Sequence, residues 1–111
     1  MQPPELNQLL SYLDGIVAAT GNGKMIWTQA NQSTYVWNVG RGNARLIIQK
    51  INPVPPLFTL SAFNEANRLE FQASGVESNL VNQKLGLVFT GIAQFQDKKG
   101  LDFLKTILPE P

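Results

Sequence analysis

Residues 44–51, Ala-Arg-Leu-Ile-Ile-Gln-Lys-Ile, decide how the rest of the chain is read. The β-branched isoleucines suit a pleated, packed backbone. With a two-residue period, Leu46 and Ile48 fall on one side and Ile47, Gln49 and Ile51 on the other. Apolar side chains on both sides predict a strand that is at least partly covered from both directions.

Toward the N-terminus, segments 24–30 (KMIWTQA) and 33–39 (STYVWNV) carry the same period, with Asn31-Gln32 as a tight turn between them. Tyr35, Trp37 and Val39 share one face, and Thr34, Val36 and Asn38 the other. Gly40-Arg41-Gly42-Asn43 makes the next turn. Toward the C-terminus, Asn52-Pro53-Val54-Pro55-Pro56 is expected to interrupt pairing, because proline donates no ladder hydrogen bond. Segment 57–63 (LFTLSAF) resumes the strand, Asn64-Glu65-Ala66-Asn67 turns it, and 68–74 (RLEFQAS) ends the set with Leu69, Phe71 and Ala73 on one face. Five strands joined by short turns read as an antiparallel β-meander.

The period changes to that of a helix at both ends. Leu6, Leu9, Leu10, Leu13, Ile16 and Val17 form one helical face near 4–20, behind Pro3 and Pro4 at the entrance. After Gly75, Ser78 is the natural N-cap of a helix near 78–96, whose stripe is Val81, Leu85, Val88, Phe89 and Ile92, widened by Leu80 and Leu87. Gly86 and Gly91 weaken that helix by roughly 1 kcal/mol each relative to alanine and suit a close approach by another backbone. Asp97-Lys98-Lys99-Gly100 is expected to break it. Leu101, Leu104 and Leu108 then mark a short final helix ended by Pro109. The fold class is therefore α+β, one domain over residues 1–111: an N-terminal helix, a five-stranded antiparallel meander, and two C-terminal helices, one long and one short. The expected core is Leu10, Leu13, Ile48, Leu60, Phe71, Leu85, Val88, Phe89 and Ile92.

Histidine and cysteine are both absent from the 111 residues. Proton-transfer chemistry based on imidazole goes with the first, and thiolate nucleophiles, thiolate metal sites and disulfides go with the second. Two carboxylate pairs, Glu65 with Glu70 and Asp97 with Asp102, lie beside turns next to basic residues, where solvated charge normally sits. No D-x-D-x-D-G calcium loop occurs, and Ser61, Ser74 and Ser78 have no lysine three residues on. Gly40-Arg41-Gly42 and Gly21-Asn22-Gly23 are not placed between a strand and a helix, as a phosphate loop must be. The reading is not an enzyme, with no metal and no cofactor. Charged residues are 15% of the chain and the net charge is +1, so a nucleic-acid partner would need a local basic patch; Arg41, Arg45, Lys50 and Arg68 are scattered instead. With no signal-peptide pattern and no long apolar run, the expectation is a cytoplasmic protein without a membrane segment.

Function rests on aromatics and surface area. Trp27, Tyr35 and Trp37 cluster on two paired strands, followed by Arg41 and Arg45. Such a set serves as core, as the anchors of a protein interface, or as a stacking platform for a ligand. Helices at the two ends cover about one sheet face, yet strands 44–51 and 57–63 are apolar on both. The surplus predicts a non-catalytic protein-interaction module acting through an apolar, aromatic sheet surface, with a homodimer as the simplest assembly. The other expectation is a small-ligand or nucleotide pocket between sheet and helices, lined by Trp27, Tyr35 and Trp37 and oriented by Arg41 or Arg45.

Overall fold

A computed structural model describes residues 3–40 and 42–109. The elements are α1 (Pro3–Gly21), β1 (Thr28–Asn31), β2 (Thr34–Asn38), β3 (Arg45–Pro53), β4 (Pro56–Phe63), β5 (Leu69–Ser74) and α2 (Asn79–Ile107). The five strands form one antiparallel sheet in the order β1-β2-β3-β4-β5, the meander expected from the alternation.

Register shows why one face became the core. Tyr35 pairs with Ile48, Ile48 with Leu60, and Leu60 with Ala73, so one straight row of side chains crosses four strands. All four are buried, together with Leu13, Val81, Leu85, Val88 and Ile92 from the helices. Both helices lie on this face. They run in the same direction: Lys84 bridges Asp14 at 2.6 Å, and six residues further along α1 Thr20 lies against Gly91. α2 lies across β3, β4 and β5, and α1 packs mainly along α2. The Ser78 hydroxyl accepts from the Val81 amide, the N-cap expected.

Several local expectations are corrected. β1 begins at Thr28, not at residue 24, because the preceding residues turn inward: the Met25 amide donates to Ala19 O at 3.0 Å, and both Met25 and Trp27 are buried. The prolines do not stop the third and fourth strands from pairing. The ladder runs to the Pro53–Pro56 pair, with an irregularity between Lys50 and Asn52. A proline at a hairpin tip costs little, since the ladder ends there anyway.

The C-terminal region differs most. Among the described residues the C-terminal region holds one helix, not two: α2 is continuous over 29 residues, through Asp97-Lys98-Lys99-Gly100. Lysine and aspartate are tolerated helix residues, and one glycine costs only about 1 kcal/mol against the hydrogen bonds gained by propagation. Leu80 and Leu87 face solvent on the side of α2 away from the core. Of the expected core, Leu10 and Phe89 are half-buried and packed against it, whereas Phe71 is 41% exposed. β5 is an outer strand, and α1 reaches Phe71 only through an open cleft lined by Leu9 and Tyr12.

Candidate functional site

The described site residues that the sequence predicted, Trp27, Tyr35, Trp37 and Arg45, do not meet in one place. Trp27 and Tyr35 are each 5% exposed. The Trp27 indole donates to the Thr20 hydroxyl at 3.0 Å, and Gln96 donates to the Trp27 carbonyl, which ties the entry to β1 to both helices. Tyr35 meets Phe89 edge-on at 5.1 Å, and Phe89 in turn lies 5.2 Å from Phe58. Trp37 is half-buried and packs against the same core. These rings are therefore held by their neighbours, and the cavity beside Trp27 measures only about 110 Å³, well below the few hundred Å³ of an ordinary ligand pocket.

Arg45 belongs to the opposite face. It pairs in register with Asn38 and Phe63, one residue out of phase with Leu46 and Trp37. Its guanidinium stacks 4.3 Å from the centre of the Phe63 ring and donates to Asn43 O at 2.8 Å. Arg41 lies outside the described residues.

Among the described residues, three surfaces are open to a partner. The first is the sheet face turned away from the helices. Val36, Ile47, Ser61 and Gln72 form one paired row there, flanked by Thr34, Gln49 and Thr59 on one side and by Arg45 and Phe63 on the other. Among the described residues, no element covers it. Val36, Ile47 and Phe63 are half-buried by their neighbours in the sheet, and the buried Thr34 hydroxyl has no hydrogen-bond partner. The second is the cleft of about 300 Å³ between α1 and β5, with Glu5, Gln8, Leu9, Tyr12 and Phe71 around it.

The third surface was missed by sequence reasoning because it depends on α2 being continuous. α1 stops at Gly21, and Gly23 sits against the Phe95 ring. From Asp97 to Ile107 every residue of α2 is exposed, about 15 Å of helix at the usual rise. Leu101 and Phe103 are each 61% exposed, and Leu104, Ile107 and Leu108 are exposed as well. The signal was present as the Leu101, Leu104, Leu108 spacing, but a separate short helix would have been free to fold back on the sheet.

A continuous helix sets Asp97 and Asp102 about 140° apart around its axis. Glu65 and Glu70 are exposed near the β4–β5 turn. No group of three potential metal-binding acids occurs among the described residues, and none of their helices is long and apolar enough to cross a membrane.

No family model, curated protein or solved structure matches the chain.

Proposed function

We propose that the chain is a non-catalytic protein-interaction module acting through the sheet face that its helices leave open. One observation carries this reading. Both helices are spent on one side of the sheet, while Val36 and Ile47 stand paired on the other beside the Phe63–Arg45 stack. Apolar side chains rimmed by Thr, Ser, Gln and an arginine have the make-up of an interface centre with a polar border. Self-association into a homodimer and a cytoplasmic setting belong to the same reading; cell fractionation tests the latter.

The deciding experiment is affinity capture from host lysate with the intact chain and with a Val36→Thr/Ile47→Thr double variant. Threonine preserves strand propensity and shape while removing apolar contact. The variant is expected to keep the circular dichroism spectrum of the parent and to lose the captured partner. Identical capture by both proteins, or capture by neither, would sink the proposal.

A further inference from the structure

We infer that the projecting end of α2 is a self-association helix, and that its occupant is the same segment of a second copy, packed antiparallel about a two-fold axis. This names the surface of the homodimer in the reading above and rests on that part of it. The seam is Leu101, Leu104 and Leu108, spaced as in a coiled coil, with Asp97 at its foot. Ile107 widens it on one flank, and Lys98 and Lys105 line the other.

Area and charge select this occupant. Leu101, Leu104, Ile107 and Leu108 are 43–61% exposed. They leave roughly 400 Å² of side-chain surface open per copy. Pairing two copies removes up to about 800 Å² of it from water, the size of a weak, reversible association. A two-fold axis needs only this one patch. Asp97 fixes the direction. With Leu101 set against Leu104 of the other copy, Asp97 at the foot of each helix comes beside Lys105 near the tip of the other; a parallel pair would put Asp97 against Asp97. The segment is poorly made for a lipid surface. Its three lysines are offset by Asp97 and Asp102, it has no Trp or Tyr, and Asp102 sits in the middle of its polar face.

Sedimentation equilibrium tests the assignment on the full chain. The parent is expected to dimerise with a dissociation constant in the range of about 1–100 μM, given so small an interface. Leu104→Glu/Leu108→Glu should remain monomeric throughout that range with an unchanged circular dichroism spectrum, since both positions are exposed. Asp97→Lys should weaken the dimer several-fold, and Asp97→Lys/Lys105→Asp should restore it. A parent monomeric at 100 μM overturns the inference, whether or not it floats with phosphatidylserine vesicles; flotation would reassign the helix to a membrane surface. A dimer that survives Leu104→Glu/Leu108→Glu overturns the surface but not self-association. Failure of the charge swap to rescue overturns the antiparallel arrangement. Loss of lysate capture in Val36→Thr/Ile47→Thr is independent of all these outcomes, so the two proposals fail separately.

Discussion

The side-chain amide of Asn82 fills the space that a Cβ at Gly75 would need. Its oxygen accepts from the Phe58 amide at 3.0 Å and its nitrogen donates to Pro56 O at 2.9 Å, while Gly75 N donates to Phe58 O at 2.8 Å. A residue in the first turn of α2 thus continues the ladder at the start of β4, and the absence of a side chain at Gly75 is what admits it. This clasp sets where the helix crosses the sheet. Asn82→Ala removes both bonds and should cost about 1–2 kcal/mol in urea unfolding. Gly75→Ala should cost about 1–3 kcal/mol, because the new methyl has to displace the amide. Parent-like midpoints for both variants would show that the clasp contributes nothing.

Position along α2 should decide what a leucine is worth. Leu85 is fully buried under the paired row of the sheet, and its truncation to alanine should destabilise the fold by about 2–5 kcal/mol. Leu104→Ala, at the exposed end, should change the stability of the monomer by less than about 0.5 kcal/mol. Denaturation at low protein concentration, where self-association is negligible, makes the comparison.

The two tryptophans should be distinguishable in solution. Trp27 is buried with its indole bonded to Thr20, and Trp37 is half-buried. Acrylamide should quench a Trp37→Phe variant, which retains Trp27, much less than a Trp27→Phe variant retaining Trp37. Thr20→Val keeps the shape but orphans the buried indole N–H, and a loss of about 1–3 kcal/mol is expected in chemical denaturation.

The Asp14–Lys84 bridge joins the two helices at a largely solvated position, with side chains 58% and 33% exposed. Asp14→Asn should therefore lower stability by less than about 1 kcal/mol. A loss well above that would mean that the bridge, rather than the apolar seam between the helices, sets their alignment.

Gly86 shows how far the glycine signal could be read. The sequence suggested that another backbone approaches closely at Gly86 and Gly91, but what arrives at Gly86 is a side chain, the Phe58 ring, 3.2 Å from where a Cβ would stand. At Gly91 the nearest atom is the Thr20 methyl at 3.7 Å, an ordinary contact. The glycine marked a restricted site; which side chain restricts it required the packed helix and sheet.

Alternation, turn residues and the change of period at Lys24 and Ser78 were enough to determine the meander and its flanking helices, because strand and helix geometry are written in side-chain spacing over a few residues. The same spacing put Tyr35 with Trp37 and Leu46 with Ile48 on one side of their own strands; the pairing register then aligned Tyr35, Ile48 and Leu60 on one face. Only the tertiary structure decided which face the helices would cover, and with it that Trp27 and Tyr35 are core while Arg45 lies on the other side. It also decided that Phe71, although in phase with buried Ala73, stays open at the sheet margin, and that α2 continues through Gly100 into solvent. Burial is settled by how layers meet and where each one ends, and local spacing says nothing of either; the end of α2 runs past α1 with its apolar pattern exposed, and none of the described residues covers it.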